Sequence, residues 1–325
     1  MHVRGRSFAI PRAGGPVVFS KAMHPVLEAL RRRPAGSRLV LVVEGGGMRG
    51  AVSGGMALAL GELGLEHAFD AAYGASAGAL NALWLISGRV RDGIPTWTDA
   101  AWVTALIDRR RLLLRRPVVD VLGLVEERYE AHSPGLFEAA LAAPTELHPL
   151  ATLVRTGDAV DLHPYIHDVA SLRTALRASA SLPLLAGPPV ALDGERYLDA
   201  GLTAAIPLRA ALDGGATHVL VLRSRLEGET VSPPRGAAAR LTARLLARVD
   251  PAVARAFQTR AERELEVEDL LARHAADPSL TPHVLSIRAA PGSPVPGRLE
   301  RDLGIVERAL EAGRAAVHAA FAGGG

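Results

Sequence analysis

Two glycine-flanked turns and one aspartate have the residue types and settings to do chemistry. The first turn, Gly45-Gly46-Gly47-Met48-Arg49-Gly50, follows the apolar run Leu39–Val43 and precedes a stretch of small and apolar residues at helical spacing. The second, Gly74-Ala75-Ser76-Ala77-Gly78, joins a short run at 70–73 to the apolar segment 77–86. A G-x-S-x-G turn between strand and helix holds a serine hydroxyl on a sharp elbow above the sheet edge. Successive unencumbered N–H groups at a helix N-terminus form a positive pocket, suited to a phosphate or to a developing oxyanion. Asp199, in Tyr197-Leu198-Asp199-Ala200-Gly201-Leu202, leaves a short strand into a small-residue turn. Its carboxylate can take a serine proton if burial brings its pKa toward the working pH.

Other chemistries fit less well. The first turn also spells G-x-G-x-x-G, a dinucleotide cradle that wants an acidic residue about 20 positions on, at the carboxyl end of the next strand. Asp70 has that spacing but stands at the start of its strand, so it falls at the opposite sheet edge. A histidine base for Ser76 has two candidates, His218 and His283. One begins a strand and the other precedes one, again the wrong end. The chain has no cysteine, which excludes thiolate nucleophiles, disulfides and cysteine-ligated metals. Neither a metal-ligand pattern nor a calcium loop is visible, and no cofactor is expected.

Elements that would position these residues follow from the apolar pattern. Leu39–Val43 is a continuous run of the kind buried on both faces of a parallel sheet. Helix is predicted for 25–33, 51–63, 77–86, 172–179, 204–212, 237–249, 252–274 and 299–321. Strands are predicted at 39–43, 70–73, 151–154, 218–222 and 284–287, with a hairpin of 190–192 and 196–198 about Asp193-Gly194. Residues 96–145 read as mostly helical, marked by Pro117, Pro134 and Pro144. Strands alternating with helices predict an α/β protein, a three-layer α/β/α sandwich with a mostly parallel sheet. The expected organisation is an N-terminal extension at 1–37, one domain at 38–322 with its motifs in 38–222 and C-terminal helices and a strand in 236–322, and a disordered tail at 323–325. Residues 228–236 read as a linker.

Taken together and in order, three of these segments resemble the patatin-like phospholipase family: Glu44-Gly45-Gly46-Gly47-Met48-Arg49-Gly50, Gly74-Ala75-Ser76-Ala77-Gly78 and Asp199-Ala200-Gly201. A fourth is similar in order and spacing, Ala178-Ser179-Ala180-Ser181-Leu182-Pro183, leading through Pro188-Pro189-Val190 to Asp199 and on to Ile206-Pro207-Leu208. The resemblance covers 38–222, with one departure: Ala200 stands where the family carries glycine. It implies a Ser-Asp dyad in which Ser76 attacks an ester carbonyl and Asp199 serves as general base. Amides around Gly46, Gly47 and Met48, in the loop Gly45–Gly50, would hold the oxyanion, with Arg49 steadying the loop or adding positive potential. The implied reaction is hydrolysis of a lipid carboxylic ester, of phospholipase A, lysophospholipase or esterase type, through an acyl-enzyme; acyl transfer to another alcohol stays open. The alternative is a weakly active or inactive lipid-binding module, for which Ala200 is the hint.

Composition bounds the partners. The 325 residues are 49% hydrophobic, enough for a sizeable core. With 37 basic against 34 acidic residues and 4% aromatics, the chain lacks the footprint of a nucleic-acid binder. Export is not expected from the segment 1–20, which lacks an apolar run of signal length, and no apolar run reaches about 20 residues, so the expected location is cytoplasmic, with peripheral membrane contact. The segment Arg109-Arg110-Arg111-Leu112-Leu113-Leu114-Arg115-Arg116 and the stripe Arg240, Arg244, Arg248 carry that last expectation. Glu262, Glu264, Glu266 and Glu268 read as part of a solvated helix face.

Overall fold

The computed structural model describes residues 23–226, 228–229 and 233–322. The expected tail at 323–325 and most of the N-terminal extension lie outside the described residues. Eight strands form one sheet: β1 (Leu39–Val43), β2 (Ala71–Ala75), β3 (Glu146–Leu153), β4 (Ala159–Asp161), β5 (Val190–Leu192), β6 (Glu195–Asp199), β7 (His218–Leu222) and β8 (His283–Ile287). The pairing path is β5-β6-β3-β2-β1-β7-β8, with β4 on β3. Pairs β3-β2, β2-β1, β1-β7 and β7-β8 are parallel, and those of β3 with β4 and β6 and of β5 with β6 are antiparallel.

Strand β1 shows why the fold has three layers. All five of its residues are buried, and successive side chains of a strand point to opposite faces. Leu39, Leu41 and Val43 join a core with the helices Gly50–Glu62, Ala77–Ile86 and Leu303–Ala322, while Val40 and Val42 join another with Leu208–Asp213 and Arg260–Ala276. The helix Pro25–Arg31 buries Val26, Leu27 and Ala29 and packs against β7 and β8, so this part of the expected loose extension is docked on the sheet.

Several boundaries differ from the sequence pattern. Strand β3 begins at Glu146 rather than 151, because its first half, containing His148 and Pro149, pairs with β2 along one edge. The short strand β4 has no apolar run to announce it. The helix expected at 252–274 is two helices, Pro251–Gln258 and Arg260–Ala276, broken at Thr259. Residues 96–142 fold as a series of short helical turns. Glu264 and Glu268 do not lie on a solvated face: Glu264 is buried against Arg225, and Glu268 binds Arg223 and Arg288.

The strand registers also explain how distant residues meet. Leu150 of β3 pairs with Ala75 of β2 and with Asp161 of β4, which places β2 and β4 on opposite edges of β3. Ala151 pairs with Val160 of β4 and with Asp199 of β6. Strand β6 therefore shares the β2 edge of β3, and the two strands run toward each other and stop at adjacent positions.

The helices Gly50–Glu62 and Leu303–Ala322 cross closely, because Gly55 faces the Leu310 carbonyl and Gly313 faces the Val52 carbonyl with no room for a Cβ at either point. Gly313→Ala must part the helices and is expected to cost about 1–3 kcal/mol, as overpacking does. A thermal melt of the variant indistinguishable from the parent would contradict this tight crossing.

Candidate active site

Ser76 is the residue between β2 and the helix Ala77–Ile86, with φ 55° and ψ −125°. A non-glycine residue at positive φ is strained and persists only where its surroundings hold it. They do so at both ends: the Ser76 N–H donates to Ser179 Oγ at 3.0 Å, and its carbonyl accepts from Ala79 and Leu80 of the following helix. Gly78 is required by space, since a Cβ there would strike the Val43 carbonyl at the end of β1.

Asp199 arrives from the opposite direction at the end of β6. Ser76 Oγ donates to Asp199 Oδ2 at 2.6 Å, across 123 positions of chain, and both residues are buried. The other carboxylate oxygen accepts the Gly201 N–H at 2.7 Å. Asp199 donates its own N–H to the Ser181 carbonyl, and its carbonyl accepts from Thr152 Oγ1. The segment 179–181 therefore holds the serine through one residue and the aspartate through another. Burial raises the Asp199 pKa above its ordinary value, opposed by the Ser76 and Gly201 hydrogen bonds and by the charges of Arg298 and Arg260. Ala200 is buried with no positive φ, so a methyl group fits there; it is at Gly201 that a Cβ would crowd Asp199 Oδ1, at 2.7 Å.

The glycine loop lies beside this pair. Most of its amides are committed: Gly45 donates to Ala205 O, Met48 to Arg298 O, Arg49 to Gly46 O, and Gly50 to carbonyls within the loop. Among the described residues the Gly46 and Gly47 amides have no partner, nor does that of Ala77, so Met48 drops out of the expected set of free donors. Gly47 has φ 60°, and a Cβ on it would lie 2.5 Å from the Arg298 carbonyl, so only glycine suits this position. Arg49 forms an ion pair with Glu229 at 2.6 Å. Asn81 fastens the loop's far end, donating to the Gly50 carbonyl and accepting from Trp97 Nε1.

Beneath the loop is a buried charge cluster that the sequence did not announce. Glu44 accepts from Arg223 Nε at 2.8 Å and from the Ser224 N–H at 2.9 Å, and Arg225 lies 3.4 Å away. Burial works against the Arg223 charge, but Glu44 and Glu268 outweigh it and its pKa is raised. Ser224 Oγ donates to the Gly45 carbonyl. These residues lie 179 and 180 positions from Glu44, and only the β1-β7 pairing reveals the contact. Arg298 escaped notice because its carbonyl meets Met48 across 250 positions of chain.

Two cavities open on Ser76. One is apolar, lined by Leu80, Trp102, Val103, Leu106, Leu124 and Tyr129 among others. The other is polar and contains the glycine loop, Asp199, Ser224, Arg225 and Arg298. Neither is lined by a histidine. His218 and His283 pair with each other at the amino ends of β7 and β8, and Asp70 at the same edge accepts the Leu39 N–H.

A family model for patatin-like phospholipases matches residues 41–212, more than half of the chain and all three turns. The chain belongs to the patatin-like phospholipase family. Membership implies lipid acyl hydrolase activity. Comparison with curated proteins finds no match.

At the amino edge of this patatin-like sheet, Glu146, His148 and His163 bring ligand atoms within 4.8 Å of one another, the one such group among the described residues. His148 binds Asp161 through Nδ1, and His163 binds the Leu147 carbonyl through Nδ1. The two rings stack at 4.3 Å and 27°, and His148 Nε2 lies 3.6 Å from Glu146. Glu146 is already paired with Arg38. The arrangement is that of a stacked, hydrogen-bonded cluster.

The raised pKa of Asp199 gives a sign to the pH dependence of stability. A carboxyl group whose pKa is higher folded than unfolded contributes stability below the unfolded value, about 3.9, and loses it as pH rises through the folded value. Asp199→Asn carries no charge to bury. Its melting temperature relative to the parent is expected to increase as pH rises above about 4, whereas a pH-independent difference would contradict a buried carboxylate.

Proposed function

We propose that the chain hydrolyses carboxylic esters of lipids through an acyl-enzyme on Ser76, with Asp199 as general base and residues 38–322 acting as one hydrolase domain. The observation that supports this most is the 2.6 Å hydrogen bond between the two side chains in a buried site without a histidine. Ser76 Oγ attacks the ester carbonyl while its proton passes to the Asp199 carboxylate. The Gly46 and Gly47 amides, with that of Ala77, receive the oxyanion. Collapse expels the alcohol, which takes the proton from Asp199. Water then attacks the acyl-enzyme, Asp199 accepts its proton and returns it to Ser76 Oγ, and the carboxylic acid leaves.

The two cavities divide the substrate. The apolar one takes the acyl chain, and the polar one, with Arg298 at its wall, takes the alcohol side. Arg298 and Arg260 favour the ionised form of Asp199, and burial opposes it. The balance keeps the carboxyl basic enough to accept a serine proton, which an exposed aspartate of ordinary pKa does poorly.

With a soluble p-nitrophenyl ester, Ser76→Ala and Asp199→Asn are each expected to lower kcat by at least about a hundredfold, while His218→Ala and His283→Ala stay near the parent. Loss of activity in either histidine variant would overturn the dyad. The acidic limb of the pH profile is expected above the ordinary aspartate range, because burial raises the Asp199 pKa. A limb at or below that range would assign the base elsewhere.

A further inference from the structure

We propose that the loop 108–118 is a membrane anchor that seats the mouth of the apolar cavity on an anionic lipid surface. Leu112, Leu113 and Leu114 are 68%, 87% and 68% exposed, three consecutive leucines standing in water on a short helical turn. Single exposed leucines are common, but a contiguous apolar patch marks a contact surface. Arg109, Arg110, Arg115 and Arg116 flank the patch, and none makes an ion pair or side-chain hydrogen bond among the described residues. The fifth arginine, Arg111, is turned inward to the Ala105 carbonyl and Asp120.

The base of the loop connects the patch to the site. Ile107 bridges Val119, the Asp108 N–H donates to Val118 O, and the Asp120 N–H donates to Leu106 O. Leu106, Ile107 and Val119 are themselves walls of the cavity that ends at Ser76. The Val119 N–H donates to the Leu185 carbonyl, and exposed Leu184 adjoins that contact. Exposed Leu122 likewise adjoins the cavity residues Val121 and Leu124. Leucines next to the cavity walls thus stand exposed, and arginines flank them, with Arg109 near the Glu300 carboxylate. An interface with apolar tails below anionic headgroups complements both features. No helix among the described residues is long and apolar enough to cross a membrane, so the contact is peripheral.

The purpose of this anchor rests on the lipid-hydrolase reading, but its test does not. Ser76→Ala protein, which needs no turnover, is sedimented with vesicles of phosphatidylcholine alone and of phosphatidylcholine mixed equally with phosphatidylglycerol. Binding is expected to favour the mixed vesicles and to weaken with salt. Replacing Leu112, Leu113 and Leu114 together by serine should weaken binding to the mixed vesicles at least about tenfold, as should replacing the four flanking arginines by glutamine. In the background with Ser76 intact, the leucine variant is expected to melt like the parent and to turn over a soluble p-nitrophenyl ester at the parental rate, losing activity only on vesicles. Variants that bind vesicles as the parent does would overturn the proposal. So would no vesicle binding at all, or a leucine patch whose loss abolishes only self-association on size exclusion. Vesicle binding with this pattern by a protein that cleaves no ester would sustain the anchor and sink the hydrolase reading.

Discussion

Ser76 and Asp199 meet in a 2.6 Å hydrogen bond because two strands meet head to head along a third. Strand β3 offers one edge to β2 and then, one residue further on, to β6. Ser76 is the first residue beyond β2, and Asp199 is the last of β6, so the fold delivers both at the same level from opposite directions. The contact is short and buried, and burial gives it chemical meaning. In water an aspartate is too weak a base to take a proton from a serine hydroxyl. Burial raises the carboxyl's pKa, while one hydrogen bond from Gly201 and the nearby Arg298 and Arg260 keep its ionised form within reach.

The supporting structure serves that contact. The strained backbone of Ser76 is fixed by Ser179, and the neighbouring Ser181 fixes Asp199, so one short segment governs the separation of the pair. The glycine loop is held from below by Glu44 and the arginines of the β7 end, and from the far side by Arg298. Four of its amides are committed, to Ala205, to Arg298 and within the loop, which leaves those of Gly46 and Gly47 free among the described residues. Rigid placement of such donors is what stabilises a developing oxyanion without reorganisation during the reaction.

Much of this was legible in the sequence, and the limits of legibility are physical. The glycine turns could be read because close backbone approach and positive φ leave few residue choices, and β1 because a strand buried on both faces must be apolar throughout. Strand β3 was half hidden, since His148 and Pro149 break the apolar pattern while their backbone still pairs with β2. Local pattern carries no information about a partner 180 residues away, so Glu44 gave no sign of Ser224 and its neighbours. The Glu264 and Glu268 reading failed likewise: alternating acidic residues on a helix mean solvent unless arginines wait just beyond the ends of the neighbouring strands. Ala200 taught the converse, because the glycine that the site needs is the next residue.

The most direct test of the central claim is to locate a covalent adduct. Folded protein treated with a fluorophosphonate and digested for mass spectrometry should carry one phosphonyl group, on the peptide containing Ser76, and Asp199→Asn protein of unchanged fold should acquire it far more slowly. A modified serine elsewhere, or an Asp199→Asn variant labelled as fast as the parent, would contradict the account.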